Sequence, residues 1–370
     1  MSYRRKVIML SNDGIITKLG GLGIFQEQLV RHMSDTYFII LGPESDKPHR
    51  GKNYTYYPIS WLSPNRGSRV MKALKGATLI HANDAPVFDL SLALRNKLKI
   101  PMLAQIHLSD NELIKDLAKH MGFAPFLAAN YHSEKRGMNN ADMIVHVSNA
   151  YARRMPSYGN PVMVAHNGIT VSDFTKPVPR VNLPGNPNSR KILYIGRFTS
   201  QKGVTHFPNL RIPRNCELYI IGGIRGGDAY IANSVMNWAA KQPNVHYLGE
   251  MWGDDKVSVM QRADAQLIPS LHEPFGIVGL EAMATKSIPI TSFANGLSDF
   301  IPKDIAINSG YNANSLQNAI NHFAMLPDNA MKAIQNAGFP VANKFTWSKT
   351  AERFSFIYNQ LQPSNIYNHA

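Results

Sequence analysis

Cysteine and acidic residues are scarce in this chain, and it has no long apolar run. The single cysteine, Cys216, excludes an internal disulfide and fits a reducing compartment. No run approaches the roughly 20 apolar residues that cross a bilayer, and the first residues, MSYRRKVIMLSND, have no signal-peptide core. We therefore expect a cytoplasmic protein, placed at the inner membrane surface only if its acceptor lies there.

The shortage of acidic residues makes the chain strongly basic. Its 39 Lys and Arg residues exceed its 25 Asp and Glu residues, and the formal net charge is +14. Most of this excess lies in the first half of the chain. A charge of this size attracts anionic partners and says little about the fold.

Strand-like runs alternate with helix-like runs along the 370 residues. Five strand-like runs, from KVIML to DMIVHVS, precede the Pro- and Asn-rich stretch KPVPRVNLPGNPNSR, and five more, from KILYIG to SIPITS, follow it. This alternation predicts an α/β fold of parallel sheets. We predict one domain over residues 1–177, a linker over 178–190, a second domain over 191–345, and an amphipathic helix with a tail over 346–370.

The stretch EPFGIVGLEAMA, residues 273–284, places two glutamates eight positions apart. It follows a predicted strand, and its Pro and Gly indicate a helix that begins near Ile277. Amides at such an N-terminus bind phosphate oxygens, and here they belong to Phe275, Gly276, Ile277 and Val278. Glu273 would then lie near a transferred sugar and Glu281 near a ribose. A capping residue and a solvated helix face are the simpler alternative.

A second motif, GRFTSQKG, follows the strand KILYI and contributes Arg197 and Lys202. Ligands of open α/β sheets bind at the carboxyl ends of strands. A guanidinium and an ammonium in such a loop neutralise a diphosphate and stabilise it as a leaving group. Two exposed loop cations remain the alternative interpretation.

Together these motifs resemble the retaining GT-B glycosyltransferases of the family 4 and glycogen-synthase-like group. HEPFGIVGLEAMA resembles their E-x7-E motif, and KLGGLG, HANDAP, HVSNAYARRM, HNGITVSDF and GRFTSQKG occur in the family's order. The resemblance implies two Rossmann-like domains facing across a cleft. It also implies a nucleotide sugar, commonly a UDP-sugar, bound mainly by the C-terminal domain, and a terminal helix that crosses back to the N-terminal domain.

The resemblance also implies roles for individual residues. Arg197 and Lys202 would hold the diphosphate, Glu281 the ribose and Glu273 the donor sugar. His107 would lie under the anomeric carbon, and the remaining donor contacts would come from Lys18, Gly21 and Gly23. Retention would proceed by departure and attack on the same face, with no metal ion and no other cofactor.

The acceptor is predicted from the basic excess. Residues 47–76 mix cations with aromatic residues, as nucleic-acid surfaces do. The candidate acceptor residues are Arg50, Lys52, Tyr57, Trp61, Arg66, Arg69 and Asp84, the last of which could instead cap a helix. A hydroxymethylated DNA base is narrowly favoured as the acceptor, ahead of a lipid-linked or envelope saccharide at a membrane.

Two other functions are weaker alternatives. GGLGIFQ follows a strand and opens a helix, as a nicotinamide-binding loop does, but Gln26 stands where that fingerprint needs its third glycine. A degenerate sugar sensor would be expected to lack Arg197, Lys202 or Glu273, and all three are present.

Overall fold

The computed structural model describes residues 3–17, 20–109, 125–223 and 227–361, apart from the side chains of residues 61, 64 and 125–130. The chain divides into two compact units. The first unit comprises Met1–Asn167 and Trp347–Ala370, and the second unit comprises Gly168–Thr346.

The first unit is built on one eight-stranded sheet. Its strands are β1 Arg5–Leu10, β2 Thr36–Gly42, β3 His49–Arg50, β4 Tyr54–Pro58, β5 Leu79–Asn83, β6 Met102–Ile106, β7 Met143–His146 and β8 Val162–Val164. They lie in the order β3-β4-β2-β1-β5-β6-β7-β8, and every pairing is parallel except β3 with β4. The sheet is flanked by α1 Gly21–His32, α2 Pro64–Leu74, α3 Phe88–Leu98, α4 Pro125–Asn140 and α5 Asn149–Arg154.

The second unit has a six-stranded sheet that is parallel throughout. Its strands are β9 Arg190–Ile195, β10 Cys216–Ile221, β11 Val245–Gly249, β12 Ala265–Ile268, β13 Ile288–Thr291 and β14 Ile307–Asn308. They lie in the order β11-β10-β9-β12-β13-β14. The helices are α6 Val171–Thr175, α7 Ala229–Ala239, α8 Gly253–Met260, α9 Ile277–Ala284, α10 Leu297–Phe300, α11 Ala313–Met325 and α12 Asp328–Ala342.

Buried strands explain why the sequence pattern was clear. In β1 the side chains of residues 7–10 have no exposed surface, and Ile8 pairs in register with Ile39 and Ile80 of the neighbouring strands. A parallel strand covered on both faces is apolar at every position. The predicted α/β fold with two Rossmann-like domains is confirmed.

The division between the units does not fall in the Pro-rich stretch. It falls between Asn167 and Gly168, whereas residues 178–190 lie inside the second unit. The Tyr219 hydroxyl donates to the Pro184 carbonyl at 2.8 Å, and the Asn186 N–H donates to Glu217 Oε1 at 3.0 Å. These bonds attach the stretch to β10, so it follows the surface of the second unit.

The last helix, α13 Trp347–Gln360, belongs to the first unit. Its residues Phe354, Ile357 and Tyr358 are buried. Arg5 donates from Nη1 to the Ser355 carbonyl at 3.2 Å and from Nη2 to Asn359 Oδ1 at 3.0 Å. A core contact and hydrogen bonds therefore join the end of the chain to its beginning.

The basic and aromatic stretch contains β4, a strand that the sequence interpretation missed. Tyr56 in β4 has no exposed surface, and its hydroxyl donates to the Pro43 carbonyl at 2.6 Å. This aromatic side chain belongs to the core and offers no face to an acceptor. None of the helices in the described ranges has the length and apolar character of a membrane-spanning segment.

Candidate active site

In the second unit, the loop after β9 carries both predicted diphosphate-binding cations. The Tyr194 hydroxyl donates to the Arg197 carbonyl at 3.0 Å, which fixes the start of the loop. Lys202 ends a short 3-10 turn, Ser200–Lys202, and Gly203 follows with φ of 72°. A Cβ on Gly203 would lie 2.0 Å from the Pro269 carbonyl oxygen. Only glycine lets this loop pack so closely on the end of β12.

Lys202 and Glu273 come together although 71 positions separate them. Lys202 Nζ lies 2.6 Å from Glu273 Oε2, and Ser270 Oγ donates to the same oxygen at 3.1 Å. The two side chains are 19% and 9% exposed, so the pair is largely shielded from water. A charge-assisted bond of this kind is among the stronger ones in proteins. The structure thus joins the GRFTSQKG and E-x7-E motifs in one place.

The helix α9 begins at Ile277, as predicted, directly after the residues of this pair. Gly276 is its N-cap, and no side chain accepts a bond at that position. The positive end of a helix dipole favours anions. The Lys202 ammonium and the N-terminus of α9 therefore lie together just beyond the carboxyl end of β12.

Glu281 lies within α9 and is paired with a residue that the sequence interpretation did not single out. Lys256 Nζ of α8 lies 2.8 Å from Glu281 Oε2, and the two side chains are 21% and 11% exposed. Lys256 stands in the segment GDDK, residues 253–256, with which α8 begins. No local pattern could show that its lysine reaches a glutamate 25 positions away.

In the first unit, His107 follows β6 and is held by its neighbours. Its N–H donates to Asp84 Oδ1 at 2.6 Å, and its Nε2 lies 3.2 Å from Asn83 Oδ1. The amide nitrogen of Asn83 donates to the Leu10 carbonyl at 3.0 Å. Oδ1 of Asn83 therefore faces His107 and accepts from Nε2. Burial, with the neighbouring His81, lowers the pKa of His107 to about 3. The imidazole is therefore neutral at pH 7 and acts as a hydrogen-bond donor.

Asp84 supports His107. Its backbone has φ of 64° and ψ of 162°, a region that side chains avoid. Its carboxylate accepts from the N–H of His107 and from that of Leu108 at 3.2 Å. No side-chain cap bond to the following 3-10 turn is made, so the capping alternative is wrong. Strain of this kind is tolerated where the surroundings fix a functional geometry.

The glycine-rich loop already holds a carboxylate of the protein. Asp13 Oδ2 accepts from the N–H of Gly20 at 3.2 Å and from that of Gly23 at 2.9 Å. Gly21, the first residue of α1, is exposed, and Gly23 is buried. Lys18 lies outside the described residues. An internal anion thus occupies the helix N-terminus where a dinucleotide-binding fold would place its pyrophosphate.

Asp46 anchors the same loop from another part of the chain. Its carboxylate accepts from the N–H of Ile16 and of Thr17, each at 2.8 Å, and from the Thr17 hydroxyl. Burial alone would raise the pKa of Asp46, but these hydrogen bonds, with one from the Ile15 N–H, lower it below its usual value. The loop is consequently shaped by the protein's own carboxylates.

The predicted acceptor residues lie on an exposed basic face. Arg50, Lys52, Arg66 and Arg69 are exposed, Tyr57 is half-buried, and the side chain of Trp61 lies outside what the structure describes. On α2, cations recur every third residue at positions 66, 69 and 72, while Val70 and Leu74 on the other face are buried. No acidic residue occurs between positions 47 and 83.

Two family profiles match this chain over adjacent ranges. The profile described as Glycosyltransferase Family 4 matches residues 19–173, and that described as Glycosyl transferases group 1 matches residues 179–338. The chain belongs to the family 4 glycosyltransferase group. This glycosyltransferase therefore carries the Lys202–Glu273 pair inside the group 1 match and His107 inside the family 4 match.

Known relatives agree with this assignment. This glycosyltransferase is 25% identical to an uncharacterized glycosyltransferase of Methanocaldococcus jannaschii, over 93% of its own chain and 95% of that protein. It is 23% identical to glycogen synthase of Mycobacterium tuberculosis, over 76% of its own chain and 68% of the relative.

Solved structures show the same GT-B fold. Sucrose-phosphate synthase from Thermosynechococcus elongatus aligns with a TM-score of 0.77 at 21% identity, covering 97% of this chain and 99% of that one. An Anabaena protein in complex with UDP and glucose aligns with a TM-score of 0.76 at 15% identity, covering 97% and 100%.

Proposed function

We propose that this glycosyltransferase moves a sugar from a nucleoside diphosphate sugar to an anionic acceptor, with retention at the anomeric carbon. The observation that carries the proposal is the Lys202–Glu273 pair, at 2.6 Å and largely shielded from water, beside the N-terminus of α9. A cation and a helix dipole suit a departing diphosphate. A carboxylate beside them suits the hydroxyls of the transferred sugar.

The donor that we propose is a UDP-sugar. Similar structures were solved with UDP and with UDP-glucose, and trehalose-6-phosphate synthase of E. coli with UDP-2-fluoro glucose. Lys202, Arg197 and the amides of residues 275–278 would hold the diphosphate, and Glu281 would hold the ribose. Glu273 would hold the donor sugar.

In the proposed reaction, the bond from the anomeric carbon to the diphosphate oxygen breaks as the bond to the acceptor oxygen forms on the same face. The acceptor's proton passes to the departing phosphate oxygen. Stabilising the charge that develops on the diphosphate is the main electrostatic task, and it falls to Lys202, Arg197 and the dipole of α9. His107, neutral at pH 7 and donating from Nε2 to Asn83, would accept a hydrogen bond from a sugar hydroxyl at Nδ1. The scheme needs no metal ion.

The acceptor is the finer part of the proposal. The exposed cations of α2 and β3, in a run without acidic residues, support a polyanion such as hydroxymethylated DNA. The buried ring of Tyr56 removes one surface on which a base could stack. Sucrose-phosphate synthase and glycogen synthase, whose names indicate saccharide chemistry, favour a saccharide as the second candidate.

A transfer assay tests both parts. Nucleoside diphosphate release is measured from UDP-, ADP- and GDP-sugars, with hydroxymethylated duplex DNA, unmodified DNA, a lipid-linked saccharide or a sugar phosphate as acceptor. Release that rises only with modified DNA supports a DNA glycosyltransferase. Release that rises only with a saccharide means that the acceptor is a saccharide. NMR of the product's anomeric centre tests retention, and an inverted product would contradict it.

A further inference from the structure

We propose that Lys256 is a positioning residue that holds Glu281 in the orientation needed to accept from a ribose diol, and that the pair sets a preference for ribonucleotide over deoxyribonucleotide donors. This inference rests on the proposed function, since it takes the ligand of Glu281 to be the ribose of a nucleotide. The structural basis is the 2.8 Å contact between Lys256 Nζ and Glu281 Oε2.

Lys256 is itself fixed by the elements around it. It lies in the first turn of α8, where Asp254 pairs with Lys176 at 2.7 Å. Its ammonium also lies 6.0 Å from the centre of the Phe174 ring. Phe174 belongs to α6, which packs against both α8 and α9. A long, flexible side chain is thus held where it reaches one oxygen of Glu281.

The contact leaves the two carboxylate oxygens of Glu281 in different states. Lys256 Nζ donates to Oε2, and within the described ranges Oε1 has no hydrogen-bond partner. An oxygen in that state accepts from hydroxyl donors, and two vicinal ribose hydroxyls are such donors. Without the lysine, the carboxylate of Glu281 has more rotamers to choose from, and ordering it on binding becomes costlier.

Selectivity follows from the partial burial of the pair. A site that hydrogen-bonds a substrate hydroxyl strongly rejects the analogue that lacks it, because the protein group is left unpaired. Glu281 is 11% exposed, so water replaces a missing ribose hydroxyl poorly. If Lys256 contacted the nucleotide directly, rather than through Glu281, replacing it would weaken the binding of ribonucleotides and deoxyribonucleotides alike.

Calorimetric binding separates these roles and needs no acceptor. The 370-residue chain is titrated with UDP, ADP and GDP, and the tightest ligand is compared with its 2′-deoxy form. The variants are Lys256→Met, Lys256→Arg, Glu281→Gln, the double variant Lys256→Met/Glu281→Gln, and Lys241→Met, which changes an exposed lysine outside the pair. Thermal melting checks that each variant is folded.

We expect the unchanged protein and Lys241→Met to prefer the ribonucleotide by about tenfold or more, as for a hydrogen bond to a charged group. Lys256→Met should weaken ribonucleotide binding and bring the preference close to one. Lys256→Arg should retain most of it. The double variant should bind no more weakly than Glu281→Gln, because the lysine acts through the glutamate.

Other outcomes overturn the inference at different points. If Lys256→Met binds more weakly but keeps the full preference, the lysine acts on the nucleotide directly. If Lys256→Met binds as the unchanged protein does, it has no positioning role. If the unchanged protein binds no nucleoside diphosphate at all, the proposed donor class itself fails, and the inference fails with it.

Discussion

At the scale of single residues, the arrangement depends on charges that reach one another from distant parts of the chain. Glu273 partly neutralises Lys202 at 2.6 Å. An unpaired ammonium in so shielded a place would be costly, so the glutamate stabilises the site before a donor binds. A diphosphate offers the same ammonium more negative charge. In the proposed reaction, Lys202 would therefore bind the leaving group more strongly as its charge develops.

Replacing Lys202 tests this role. Lys202→Met should lower kcat by about 100-fold to 1,000-fold, the usual effect of removing one preorganised charge at a reacting centre. Steady-state kinetics with the identified donor and acceptor measures the change. Lys241→Met is the matched control and should leave kcat unchanged. A rate for Lys202→Met within about threefold of normal would contradict the assignment.

Gly203 offers a test of the loop that carries Lys202. Gly203 and Gly249 both have positive φ, 72° and 78°. A Cβ on Gly203 would meet the Pro269 carbonyl at 2.0 Å, whereas nothing lies within 4 Å of one on Gly249. Gly249→Ala should cost about 1–2 kcal/mol of unfolding free energy from backbone strain. Gly203→Ala should cost about 1–3 kcal/mol more, from the clash, as measured by urea denaturation. Equal costs would show that the loop yields freely.

The sequence predicted residues whose chemistry is local and missed those whose partners are distant. Glu273, Arg197 and Lys202 stand in motifs from which both the neighbouring strand or helix and the charge of the side chain can be read. Lys256 and Asp13 act through contacts that exist only after folding. The roles assigned to Arg197, Lys202, Glu273, Glu281 and His107 all remain predictions.

At the scale of elements, strands were predictable where burial on both faces made them apolar. β4 was missed because its three tyrosines, in YTYYP, lie among cations and were interpreted as part of an acceptor surface rather than as a strand. Its partner β3 is only two residues long, and such a strand leaves no pattern. The cations around β4 remain exposed, so the basic surface was found although one of its aromatic residues proved to be core.

The cations of α2 carry the element-scale prediction. Replacing Arg66, Arg69 and Lys72 together by Gln should weaken binding to hydroxymethylated duplex DNA. The slope of log K against log salt concentration should also become shallower, by about 0.9 for each phosphate that the variant no longer neutralises. Fluorescence anisotropy at several salt concentrations measures both the affinity and the slope.

The matched control replaces three exposed lysines of the second unit, Lys241, Lys303 and Lys332, by Gln. It should leave both quantities near those of the unchanged protein. Equal weakening by the two triple variants would mean that total charge, rather than α2, attracts the acceptor.

At the scale of the whole molecule, the two units should differ in their stability at low pH. Burial lowers the pKa of His81 and His146 to about 4 and that of His107 to about 3, from 6.5, and all three residues belong to the first unit. Below about pH 6.5 the unfolded chain takes up protons that the folded unit excludes. Stability should therefore be complete above that pH and be lost as the pH falls toward 4.

The first unit should consequently unfold before the second as the pH is lowered from 7 to about 4.5. Each histidine contributes up to about 1.4 kcal/mol per pH unit. Pulse proteolysis in urea, with mass spectrometry of the fragments, shows which unit is cut. His146→Leu should reduce the acid sensitivity of the first unit, and His322→Gln, at an exposed histidine of the second unit, should not. Simultaneous loss of both units in every variant would contradict this.

The return of α13 to the first unit sets the order in which a nascent chain can finish folding. The second unit, Gly168–Thr346, is one continuous stretch, whereas the first unit needs residues that the ribosome adds only after the second unit. Until Phe354 and Ile357 emerge, the surface that α13 covers on α1 stays open to water. The part of the protein that is synthesised first is therefore completed last, and its exposed apolar surface is a natural ligand for a chaperone during translation.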